Sequence, residues 1–184
     1  MRRVFFLCMA VLSLALLFGC ESTPKEPVFR NVYWGMTEDE VKESETVPLL
    51  FEDLITTDTK SKANTLQYSD TVFDTYCTFR YYINREGELD NIKIDFTQPR
   101  EDNNDYLDDY EKLKQTLISL YGKPSSDKEN WYMDSKKGKE EFYGQAVENG
   151  ELSLSCTWRL DEMRIKISLS GHDQQISLRG DFSD

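Results

Sequence analysis

The residues able to do chemistry are few and scattered. His172 is the sole histidine among 184 residues, so no histidine-built metal cluster can assemble. It stands beside Gly171 in an expected turn and reads as surface. No G-x-S-x-G, P-loop or C-x-x-C is present, which removes the common nucleophile elbow, phosphate cradle and redox pair. Glu101-Asp102-Asn103-Asn104-Asp105, with Asp108 and Asp109 beyond, offers oxygen ligands of the kind calcium takes. It lacks the central glycine and closing glutamate of an EF-hand, so it reads as a solvated linker and helix cap. The 34 acidic residues include enough carboxylates for a glycosidase pair, but that chemistry needs two of them about 5–10 Å apart. The expectation is a chain with no catalytic residue, no metal ligand set and no cofactor.

Cysteine carries the clearest signal. Leu17-Phe18-Gly19-Cys20 resembles a bacterial lipobox, at which a precursor is lipidated on its cysteine and cut just before it. Arg2 and Arg3 give a positive leader, and Val4 to Leu17 is apolar apart from Ser13. That run is shorter than the roughly 20 apolar residues a bilayer span needs. Phe18 is larger than the residue lipoboxes favour there. Residues 1–19 therefore read as a lipoprotein signal peptide and 20–27 as a lipidated tether, with Ser, Thr, Lys and two prolines in Glu21 to Pro27. The resemblance implies acyl chains on Cys20. Each buried methylene contributes about 0.8 kcal/mol, so several chains anchor stably where one does not. The expected address is the extracytoplasmic side of the cell envelope. Glu21 is not the aspartate linked to inner-membrane retention, which points to the outer membrane if there are two.

Composition agrees with that address. With 34 acidic and 22 basic residues, losing Arg2 and Arg3 takes the formal net charge from −12 to −14. Such a chain repels nucleic acid and anionic headgroups. Ten Tyr, ten Phe and three Trp are enough for a core.

The elements follow from periodicity. Thr37 and Glu40 form a T-x-x-E capping box, with Met36 and Val41 at hydrophobic-staple spacing, so a short helix starts at Glu38 and ends by Pro48. Leu66 to Tyr68 and Thr71 to Phe73 read as two short strands. In Tyr76 to Ile83, Cys77, Phe79, Tyr81 and Ile83 alternate with Tyr76, Thr78, Arg80 and Tyr82. Ile92, Ile94 and Phe96 complete a β-hairpin with one buried face. Asp105 to Tyr121 carries an apolar stripe of helical spacing, stopped by Gly122 and Pro124. Strands are expected around 129–134 and 139–147. Two more are centred on Leu152 to Leu160 and Met163 to Leu169, and a last one on Ile176 and Leu178.

Cys77-Thr78-Phe79-Arg80 is echoed by Cys156-Thr157-Trp158-Arg159, and Ile92-Lys93-Ile94 by Ile165-Lys166-Ile167. Each hairpin follows a helix. The reading is an internal duplication, with a first α+β repeat over 28–98 and a second over 99–184. The expected fold class is α+β: tandem duplicated helix-plus-antiparallel-β-sheet units, helices packed on one sheet face. Equivalent cysteines several strands apart cannot bridge, so Cys77 and Cys156 are expected as buried free thiols, unless the two copies face each other.

Trp34-Gly35-Met36-Thr37, followed by Glu40-Val41, resembles the opening of small bacterial lipoproteins of the SmpA/OmlA (BamE-like) type. Tandem helix-plus-sheet copies are similar to the β-lactamase-inhibitor-protein architecture of the same fold group. The resemblance implies that fold and a binding rather than catalytic character. Those lipoproteins have a Gly-x-Pro soon after the first helix. Here Glu45-Thr46-Val47-Pro48 lacks the glycine, whereas Gly122-Lys123-Pro124 supplies it after the second helix.

The candidate binding residues are Tyr76, Thr78, Arg80 and Tyr82, on the strand face opposite Cys77. Tyrosine and arginine on an open face are the types enriched at interaction hot spots. The expected partners are the membrane, through lipid on Cys20, and an envelope protein; nucleic acid is not one. Two other classes remain open. One is a small-ligand carrier with a cavity among Leu113, Leu117, Phe79 and Trp158. The other is a carboxylate-dependent envelope hydrolase.

Overall fold

The computed structural model describes residues 27–56, 62–96 and 98–184; the signal, Cys20 and nearly all of the tether lie outside them. The first helix, α1 (Glu38–Ser44), forms as its capping box requires. The Glu40 amide donates to Thr37 Oγ at 3.4 Å, and the Thr37 amide donates to the Glu40 carboxylate at 2.8 Å. Only Val41 of this helix is buried. Four strands follow: β1 (Phe51–Thr56), β2 (Lys62–Val72), β3 (Thr75–Ile83) and β4 (Leu89–Phe96). Next come α2 (Asp105–Tyr121), β5 (Ser126–Trp131), a 3-10 turn (Glu140–Phe142) and α3 (Tyr143–Glu148). The chain closes with β6 (Leu152–Leu160), β7 (Met163–His172) and β8 (Gln175–Ser183).

All eight strands join one antiparallel sheet, in the order β1-β2-β3-β4-β8-β7-β6-β5. Each half of the chain is a four-stranded meander, and the halves meet where β4 pairs β8, with Ile94 opposite Gly180. The expected tandem helix-plus-sheet α+β units, helices packed on one sheet face, do not form. The described residues form mostly a continuous sheet, with three short helices among them. The reason lies in α1, which has one buried residue and so no apolar stripe to dock as a layer. Helices α2 and α3 lie against β6, β7 and β8. The inner side of β3 is covered instead by irregular chain, where Phe29 packs on Phe79 at 5.5 Å and on Tyr81 at 6.3 Å.

Local expectations fared unevenly. The hairpin over 76–96 and the helix over 105–121 form, with Cys77, Phe79, Tyr81 and Ile83 buried in alternation. Gly122, at φ 76°, closes α2 by donating to the Ile118 carbonyl at 2.8 Å. The two short strands expected at 66–68 and 71–73 are one strand, β2. Asn64 and Asp70 break the apolar alternation in the sequence, yet Asn64 is buried because its amide donates to Glu52 Oε1 at 2.8 Å. The strand expected at 139–147 is the 3-10 turn and α3. Asn104 explains this tertiary override: its Oδ1 accepts from the Gly144 amide at 2.9 Å, and its Nδ2 donates to the Glu141 carbonyl at 3.2 Å.

Cys77 and Cys156 are both free and buried. Cys77 lies on β3 and Cys156 on β6, four strand steps or about 19 Å apart. The two matching tetrapeptides thus occupy different ranks in the sheet: β3 adjoins the central strand β4, whereas β6 lies two strands from the central β8. Burial pushes the Cys77 thiol up to about 12, with the Asp70 charge adding to it. Burial likewise pushes the Cys156 thiol up to about 11, with Asp127 adding. Thiolate is the reactive form, so neither should react with an aromatic disulfide reagent at neutral pH in the native state. Both should react once urea unfolds the chain. Rapid native-state labelling of either would contradict this burial.

A polar network lies under the irregular cover. Arg30 Nε donates to Glu45 at 3.0 Å and its Nη1 to Asp70 at 2.7 Å. The Tyr81 hydroxyl donates to the other Glu45 oxygen. Burial first, and the Glu45 charge second, push the Tyr81 phenol well above its ordinary value, so it stays a donor. The Arg30 guanidinium also lies 5.2 Å over the Phe79 ring.

Candidate binding face

Because side chains alternate across a pleated strand, burying Cys77, Phe79 and Tyr81 of β3 sends Tyr76, Thr78, Arg80 and Tyr82 to the opposite side. The same alternation on β4, β8 and β7 leaves Lys93, Asp95, Arg179, Asp181, Lys166 and Ser168 on that open side. Register then builds rows across the sheet. One runs Gln67, Arg80, Lys93, Asp181, Lys166, Thr157. The next runs Ser69, Thr78, Asp95, Arg179, Ser168, Ser155.

At the middle of these rows the twisted sheet forms a cleft of about 420 Å³. Four cations and two carboxylates line it, a local excess of positive charge in a chain of net charge −12. Asp95 bridges two of the cations, accepting from Arg80 Nη1 at 2.6 Å and from Arg179 Nε at 3.1 Å. Arg80 Nε also donates to Gln67 Oε1 at 2.9 Å. Arg80 and Lys93 are like charges directly opposite each other, an arrangement that destabilises a sheet. Asp95 draws the guanidinium away, and Lys93 Nζ sits 5.1 Å over the Tyr82 ring. Asp181 accepts from Asn91 Nδ2 at 3.2 Å. Among the described residues, no carboxylate lies within ion-pair distance of Lys93 or Lys166.

The structure divides the residues singled out from sequence. Arg80 and Tyr82 line the cleft. Thr78 stands beside it, opposite Asp95 and 3.3 Å from the Ser69 hydroxyl. Tyr76 shares the face but lies near the β2–β3 turn, 53% exposed and about 20 Å along the strand from Tyr82. Sequence reasoning missed Lys93, Asp95, Lys166, Arg179 and Asp181. The signal for Lys93 and Lys166 was present in the paired Ile-Lys-Ile triplets, where isoleucine on one face puts lysine on the other.

Other candidates do not gather. Phe79 is ringed by Phe29, Tyr68 and Tyr81, while Leu113 and Leu117 lie in α2 against β7 and β8. Trp158 Nε1 donates to the Gly122 carbonyl at 2.8 Å, and all four side chains are buried in the hydrophobic core and line neither the central cleft nor the one beside His172. In the acidic run, the Asp102 side chain accepts from the Asn104 amide at 2.8 Å, and Asp109 grips Arg100 with two contacts of 2.7 Å. Among the described residues no group of three His, Cys, Asp or Glu is placed to hold a metal ion. His172 is 92% exposed, 3.2 Å from Asp173.

No protein-family model matches this sequence, and comparison with curated proteins and with solved structures gives no match.

Proposed function

We propose that this chain is a lipid-anchored, extracytoplasmic protein of the bacterial cell envelope that binds a partner protein through its open sheet face and catalyses nothing. The observation that carries the binding role is the cleft of Arg80, Tyr82, Lys93 and Arg179 at the centre of a sheet whose other face is buried. Arginine and tyrosine supply both charge-assisted hydrogen bonds and large rigid contact area, the combination common at hot spots. The anchoring role rests on the lipobox-like Leu17 to Cys20 and its positive, apolar leader. A kinship with BamE-like lipoproteins rests on Trp34 to Val41 and belongs to the same proposal.

The test is in-cell crosslinking, capture of the tagged protein, and mass spectrometry of what accompanies it. One enriched envelope protein is expected. It should drop at least tenfold when Tyr76, Arg80 and Tyr82 are all alanine. Undiminished capture by that variant would remove the open face from the proposal.

A further inference from the structure

We infer that the central cleft receives the carboxylates of an acidic polypeptide segment, held by Lys93 and Lys166. The inference rests on the binding role proposed above and names the chemistry of the partner. Of the four cations lining the cleft, Arg80 and Arg179 are both committed to Asp95, at 2.6 and 3.1 Å. Lys93 and Lys166 are exposed. They flank Asp181 from either side, opposite it on β4 and on β7. One carboxylate between two ammonium groups leaves one positive charge in excess, and Asp181 also accepts from Asn91. Of the cleft's four cations, the two without an ion partner among the described residues therefore stand on this row, either side of Asp181.

The spacing suits a peptide. Two strand steps separate the lysine backbones by about 10 Å, and alternate side chains of an extended segment lie about 7 Å apart. Four-carbon lysine arms close that difference. The Tyr82 ring beneath Lys93 gives a firm wall. Asp95 and Asp181 line the same cleft and would repel a continuous polyanion, as would the net charge of −12. A segment alternating carboxylates with hydroxyl or amide donors instead sets acids beside lysines and donors beside Asp181.

The probe is a short fluorescein-labelled peptide of alternating glutamate and serine. Its anisotropy is followed with the detergent-solubilised full chain at low ionic strength. Saturable binding is expected, weakening as salt is raised. Lys93→Glu with Lys166→Glu should weaken it at least tenfold, while Lys93→Arg with Lys166→Arg retains it. Lys123→Glu with Lys139→Glu makes the same charge change outside the cleft and should leave affinity within about twofold. Equal loss in both glutamate variants would reduce the effect to net charge and overturn the inference. So would absence of saturable binding, or inorganic tripolyphosphate binding the two lysines more tightly than the peptide. Should the peptide fail while the Tyr76, Arg80, Tyr82 variant still loses its captured protein, only the partner chemistry falls. Capture that survives that variant removes the binding role itself.

Discussion

Gly171→Ala is expected to destabilise the fold by about 3 kcal/mol, the upper end of the usual cost of overpacking. Gly171 lies late in β7, where α3 crosses close above it. A Cβ there would stand 1.9 Å from the Val147 carbonyl oxygen and 2.7 Å from that of Glu148. Both are backbone atoms, so no side-chain rotation relieves the clash. The Val147 carbonyl also accepts from the Gly150 amide at 2.9 Å, which ties the end of α3 to the turn leading into β6. Lifting α3 would withdraw Ala146 and Val147, both fully buried, from the core. The other end of this helix is equally tight: a Cβ on Gly144 would lie 2.4 Å from the Asn103 carbonyl carbon. Gly144→Ala should therefore resemble Gly171→Ala. The two together should cost less than their sum, because either one already loosens the same helix. For a chain of this size the single change lowers the melting temperature by about 6–12 °C. An unshifted thermal or urea midpoint would show that α3 does not sit against β7 as described.

Arg30→Met is expected to cost about 3 kcal/mol, for an electrostatic reason. The Glu45 side chain is 2% exposed, and Arg30 is its ion partner at 3.0 Å. Removing the guanidinium leaves a buried carboxylate with, among the described residues, only the Tyr81 hydroxyl to solvate it, and an uncompensated buried charge is among the most damaging lesions a core can carry. The diagnostic is the double variant. Arg30→Met with Glu45→Leu removes both charges and should recover part of the loss, as replacement of a whole buried pair commonly does. Acid should act on the same network. The Asp70 carboxyl is held below its ordinary value by the hydrogen bond from Arg30, then by that from the Thr71 amide. A depressed carboxyl contributes stability that is complete above its unfolded value, near pH 4, and is lost as pH falls through the folded one. The acid limb of the stability curve should therefore be shallower in Arg30→Met. A double variant less stable than the single one would contradict a charge-based account.

These sites differ in how far a reader of the sequence could find them. The inward positions of β3 and β4 announce themselves, because Cys77, Phe79, Tyr81 and Ile83 alternate without interruption. So does α2, whose stripe matches its buried Tyr110, Leu113 and Leu117. The conversion of residues 140–148 into helix was not legible. It depends on Asn104, some forty residues upstream, capping the Gly144 amide. Nor was the junction of the halves, since no local pattern says that β4 pairs β8 rather than β7. That junction decides the binding face. Arg80 and Tyr82 could be assigned to an open face from β3 alone. Only the β4–β8 register sets Asp181 between Lys93 and Lys166, and Arg179 against Asp95. Two modest features of separate hairpins become one cleft through a contact remote in sequence.

The most direct measurement is site-specific photocrosslinking in cells. One photoreactive residue replaces Ser168 on the open face, and in a second strain one replaces Gln115 on the exposed side of α2. The open-face position should yield a discrete protein adduct, and the α2 position none. An adduct from Gln115 with none from Ser168 would place the partner on the helical side and contradict the open sheet face as the binding surface.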